Sequence, residues 1–254
     1  MRGAVERIRS LVHIQLSTIY RFPVLELLVA FFFAISLNGV RIGLHPSALI
    51  PQEDPMVWGV SNSVGILSDT FNSFTVILTF LTPMLVALTI ARPFEDGSFR
   101  TLLSYPLSRF SVFSVNTILP IILLGCLANI SVVVAILLFS YSFIEVSAIL
   151  LYVASLFLYS LILGAFSTTI AVISRSTAAT SIGSIGVWFT LSSIAPAFKD
   201  YTLAYVFIQP ISSLRDYFGN LIVFSDIACG FILVLVISIL LFFISYLIFN
   251  RAEV

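Results

Sequence analysis

The chain is poor in most of what a catalytic or nucleic-acid-binding protein relies on. Of its 254 residues only 9% are charged, one is lysine (Lys199) and two are histidine (His13 and His45). A phosphate-cradling GxxxxGK[ST] loop needs a lysine beside its glycines, and Lys199 has no such glycines around it. That route to ATP binding by this chain alone is excluded. The histidines lie far apart and no HExxH occurs, so zinc hydrolysis is not expected, and Ser–His or Cys–His catalysis fails for want of a placed imidazole. The chain is therefore expected to be no enzyme by itself, with no catalytic residue, metal or cofactor of its own. The formal net charge is zero, which leaves no general basic face for nucleic acid. Cys126 and Cys229 both fall in apolar runs without a CxxC, and read as buried small hydrophobes.

What the chain has instead is apolar length. Hydrophobic residues make up 59% of it, 24 of them Phe, and a soluble domain of this size would need far more polar surface. The reading is an all-α integral membrane protein. A hydrocarbon core about 30 Å thick takes about twenty apolar residues. By that ruler six spans are expected, at about 23–40, 71–91, 112–140, 147–173, 178–197 and 226–249. Pro83 and Pro120 fall inside spans two and three and should bend them. No small-residue cleavage pattern follows the first apolar run, so a cleavable signal is not expected.

Residues 4–20 are too polar to span. Val5, Ile8, Val12, Leu16 and Ile19 recur at helical spacing on one face, which describes an amphipathic helix in the membrane interface or, as the plainer alternative, one packed on protein. The segments 41–70 and 198–225 read as an irregular outer loop and as broken, partly dipping outer helices split at Pro210. Arginine placement sets the orientation. With the N-terminus inside, nine basic residues are cytoplasmic (Arg2, Arg7, Arg9, Arg21, Arg92, Arg100, Arg109, Arg175, Arg251) against Arg41, Lys199 and Arg215 outside. Both termini are thus expected in the cytoplasm of a multi-pass cell-membrane protein.

Residues 92–109, RPFEDGSFRTLLSYPLSR, form a charged island between spans two and three. Lipid penalises each charge heavily, so the island must meet water or a protein partner. Gly97 can break a preceding helix, Ser98 can cap a new one, and Pro106 makes a stop before it. The local expectation is a short helix over about Ser98–Ser104. Two further features stand out. Glu26, near the start of span one, is either a structural ion pair with Arg21 or Arg109 or a residue for coupling or substrate passage. Ala179, Gly183 and Gly186 give span five a small-residue stripe, for intrachain packing or for a dimer seam.

Glu95-Asp96-Gly97-Ser98, then Leu102-Leu103-Ser104, then Pro106-Leu107-Ser108-Arg109, resembles the signature cytoplasmic loop of type-2 ATP-binding-cassette exporter permeases. That family shows an acid-x-Gly-[Ser/Thr] turn, a Leu-Leu pair and Pro-x-Ser-Arg. Asp96 stands where many members carry a basic or other polar residue. The resemblance implies a coupling helix at 95–105 that docks on a separate ATPase. Glu95, Ser98, Arg100, Leu102 and Leu103 would face that partner, and Pro106 to Arg109 would set the re-entry into span three. It also implies two permease copies or homologous halves, two ATPase subunits carrying ATP and magnesium, membrane lipid around the whole, and a dimer seam near spans one and five. The alternative is a non-transporting membrane scaffold that anchors a cytoplasmic partner. An ion-coupled transporter would need ionisable groups near the bilayer midplane, and only the shallow Glu26 approaches that. Phe, Leu, Ser and Thr occur in every membrane protein, so lipid, antibiotic, peptide and polysaccharide cargoes stay equally open.

Overall fold

The structure is a computed structural model and describes residues 9, 10, 12, 13, 24–44, 55–104, 107–139, 146–194 and 224–251. Its elements are α1 (Val24–Leu44), α2 (Pro55–Val86), a π-helical turn (Ala87–Ala91), α3 (Arg92–Glu95), α4 (Ser98–Ser104), α5 (Arg109–Phe139), α6 (Val146–Ser174), α7 (Thr177–Ile194) and α8 (Phe224–Arg251). No strand occurs among the described residues.

Among the described residues four helices are long and apolar enough to cross a membrane: Thr70–Glu95, Arg109–Leu138, Ile149–Ser174 and Ala228–Arg251, with Leu25–Gly39 a shorter apolar helix. Pro83 and Pro120 lie inside α2 and α5 as expected. The expectation for the segment after span one is overturned. Residues 41–70 are not an irregular loop throughout, because α1 runs on to Leu44 and α2 begins at Pro55. Pro46, Pro51 and Pro55 favour a loop there, but at the first position of a helix the fixed φ and missing N–H of proline cost nothing. The broken segment expected over 198–225 lies outside the described residues except for its last two positions, which open α8.

α6 is the central helix and packs against α2, α5, α7 and α8. Its main core joins Phe32 of α1, Phe71, Phe74 and Leu78 of α2, Leu124 and Val132 of α5, and Tyr152, Leu156 and Ile162 of α6. Most hydroxyls in these helices turn back onto their own backbone, as Ser36 does on Phe32 at 2.9 Å and Thr168 on Gly164 at 2.7 Å. Such back-bonding lets a polar side chain sit where no water can serve it. A polar contact also joins three helices. Trp188 Nε1 of α7 donates to Tyr159 Oη of α6 at 2.9 Å, and Tyr159 lies 2.8 Å from the Thr79 hydroxyl of α2. Cys126 is half-buried and Cys229 is exposed, so Cys229 departs from the buried reading. It sits on the outer face of α8, a helix that packs mainly on α6 and leaves Ile232, Val236 and Ile239 facing outward.

A second apolar cluster closes the bundle at the end where α3 and α4 lie. It gathers Val86, Ile90, Phe99, Val112, Phe113, Val172 and Phe249. Residues 9, 10, 12 and 13 are helical, with Arg9, Ser10 and His13 exposed and Val12 packed against this cluster. The remainder of the 4–20 helix lies outside the described residues.

Candidate functional site

The charged island is built from the π turn onward. Pro93 has no N–H, and its ring would crowd the carbonyl four residues back, that of Thr89. The ladder widens just before it. The Arg92 N–H reaches the carbonyl of Ala87, five residues back, which places one extra residue in the turn. After α3 the chain breaks at Gly97, whose φ is +70°, a left-handed conformation open to glycine at little cost. The Arg100 N–H then donates to the Gly97 carbonyl at 3.0 Å. Gly97 thus holds the cap position, and Ser98 is the first helical residue rather than the cap.

α4 is anchored by one side chain that the sequence reading passed over. Phe99 is wholly buried. It meets Phe94 at 4.8 Å and Phe249 at 5.3 Å between ring centroids, and Phe94 meets Phe249 at 5.8 Å, all edge to face. Such pairs add roughly 0.5–1.5 kcal/mol each beyond area burial. Leu102 and Leu103 are half-buried against the same cluster. Phe99, Leu102 and Leu103 stand at i, i+3 and i+4, so the Leu-Leu pair belongs to the inward stripe of the helix. That spacing was the available signal for Phe99. The outward edge is polar: Ser98, Arg100, Thr101 and Ser104 are exposed.

Glu95, at the end of α3, turns toward its own chain. Its Oε1 accepts the Thr177 N–H at 2.8 Å and its Oε2 accepts the Thr177 hydroxyl at 3.0 Å. Asp96 instead pairs with Arg92 at 3.3 Å, one turn back on an exposed surface, a contact of small weight. Arg175, in the turn between α6 and α7, lies over the Phe94 ring at 5.5 Å with φ at +51°. Neither Thr177 nor Arg175 was singled out from sequence, since nothing local links residues 82 apart.

The far side of the island is fixed by Ser108, whose Oγ accepts the Ser111 N–H at 3.1 Å and so caps α5. Arg109 donates from Nη1 to the Asn250 carbonyl at 2.8 Å, a cation at the last turn of α8 where the helix dipole favours it. Pro106 lies outside the described residues.

The remaining candidates are not brought to this site. Glu26 is exposed in the first turn of α1, where a carboxylate suits the dipole; Arg21 lies outside the described residues. Ala179 and Gly186 are exposed and Gly183 is half-buried, with a Cβ at Gly186 meeting nothing within 4 Å. Among the described residues no group of His, Cys, Asp and Glu could hold a metal ion. No family model matches the chain, and no curated protein matches it.

Proposed function

We propose that this chain is the membrane permease subunit of an ATP-driven exporter of the type-2 ATP-binding-cassette kind. In this reading it spans the cell membrane six times with both termini in the cytoplasm, and α4 is its coupling helix. Two such permeases pair with two ATPase subunits, which carry the ATP and magnesium, while the chain itself performs no catalysis. A second copy packs along α7 near Ala179, Gly183 and Gly186, and membrane lipid covers the rest of the apolar surface. Cargo passes along the seam.

The observation that carries the reading is the build of α4. It is a seven-residue helix between two long apolar helices, held down by Phe99 and offering Ser98, Arg100, Thr101 and Ser104 outward. A charged, rigidly mounted edge at the end of a membrane bundle suits docking on a soluble partner.

Arg100→Glu tests it, because Arg100 is exposed and the exchange leaves the Phe99 anchor intact. Purified in mild detergent, the wild type should bring down an ATPase with a GxxxxGK[ST] loop, and the variant should lose most of it. Reconstitution of the pair in liposomes should then give ATP hydrolysis that drives export. A chain that holds an ATPase but supports no transport is a scaffold; one that holds none ends the permease reading.

A further inference from the structure

We propose that Glu95 is the link through which movement of α4 reaches α7, a clasp that positions α7 rather than a contact to the partner. What the movement achieves rests on the permease reading; the clasp does not.

The start of α7 carries backbone N–H groups with no acceptor inside the helix. The Ser176 carbonyl takes the Thr180 N–H at 2.9 Å, so Thr177 is the first residue after the cap and its own N–H must look elsewhere. Glu95 supplies the acceptor from across the fold, and its second oxygen takes the Thr177 hydroxyl. Both bonds end on one residue, so they form or break together. The clasp is exposed at the Glu95 end, so water can replace its hydrogen bonds.

A second contact runs in parallel. Phe94 touches both Phe99 of α4 and the Arg175 guanidinium just before α7. Upstream, the widened turn at Ala87–Ala91 lies between α2 and the island. Downstream, α7 packs mainly on α2, α6 and that turn. Its outer side is open, with Ile182 73% exposed and a Cβ at Gly183 first meeting Ile170 at 3.6 Å. Further along, Trp188 pins α7 to Tyr159. The geometry is that of a lever fixed near Trp188 and held at its free end by Glu95.

The test is a distance measurement on the full chain in lipid, with Cys126→Ala and Cys229→Ala as background. Spin labels go on Thr101→Cys in α4 and Ala178→Cys in α7, both exposed positions. The parent should give one narrow distance. Glu95→Ala should broaden it several-fold, Thr177→Ala should broaden it less, and Thr177→Ser should leave it narrow. The Glu95→Ala/Thr177→Ala pair should be no broader than Glu95→Ala. An unchanged narrow distance in Glu95→Ala overturns the clasp; if that variant fails to fold, equal distances in Thr177→Ala and Thr177→Ser overturn it instead. With the ATPase present, Glu95→Ala should retain the partner and lose its stimulation, and loss of the partner would make Glu95 a docking residue and sink the proposal. A wild type without an ATPase removes the permease reading, while the distances still decide the clasp.

Discussion

Two sets of small residues in this bundle have the same chemistry and opposite surroundings. At Gly39, Gly125 and Gly164 the neighbouring helix occupies the space a side chain would need. A Cβ at Gly39 would lie 2.9 Å from the Thr70 backbone, one at Gly125 2.5 Å from the Ser160 hydroxyl, and one at Gly164 2.8 Å from Ile121 Cγ1. At Gly186 of α7 the space is free, and a Cβ at Gly183 would meet no more than ordinary contact, with Ile170 at 3.6 Å. The first set lets α1 meet α2 and α5 meet α6 with backbones close together, as helix packing in membranes favours. The second leaves a helix face uncovered among the described residues. Spacing marks where helices can approach closely, and only the tertiary arrangement says whether the approach is already used.

The comparison can be broken or sharpened by substitution. Gly39→Ala and Gly164→Ala force neighbours aside, and each should lower unfolding free energy by about 1–3 kcal/mol, the usual cost of overpacking. Denaturant titration in detergent would measure it, and a loss near zero would mean that the two crossings are looser than described. Trp188→Phe keeps an aromatic ring but deletes the donor to Tyr159. It should cost about 0.6 kcal/mol, a typical interhelical hydrogen bond in a membrane protein, in the same titration. Gly186→Ala should change the chain's own stability by less than about 0.5 kcal/mol. A loss as large as that at Gly164 would show that the α7 face is closed, and the contrast between the two sets would fall.

Much of the architecture was legible in sequence because apolar length is a coarse and strong signal. The long helices α5, α6 and α8 lie where unbroken hydrophobic runs demanded them. The short helix over Ser98–Ser104 was legible because Gly97 punctuates it. The start of α2 was not, since Pro55 serves equally well in a loop or at a helix start. Within the island, the resemblance turns Leu102 and Leu103 toward a partner and leaves Phe99 unplaced. Phe99, Leu102 and Leu103 could have been turned inward by their i, i+3, i+4 spacing alone. The partner of Glu95 could not have been found that way, because Thr177 comes near it only through the packing of α2 against α6 and α7. The Ser160, Gly164, Thr168 series of α6 was present and passed over in favour of the more obvious stripe at Ala179 and Gly183.

The turn at Ala87–Ala91 has a consequence for how this stretch can change over time. It holds one residue more than a regular helix would. Deleting one of the five would close the turn to the ordinary ladder, in which one residue fewer completes the same full turn. Glu95 and Phe99 would then keep their facing. A deletion in the regular part of α2 would instead rotate all that follows by about 100°, the step of a single helical residue, and turn Glu95 from Thr177. The widened turn is thus a place where the chain can lose a residue without re-aiming the island.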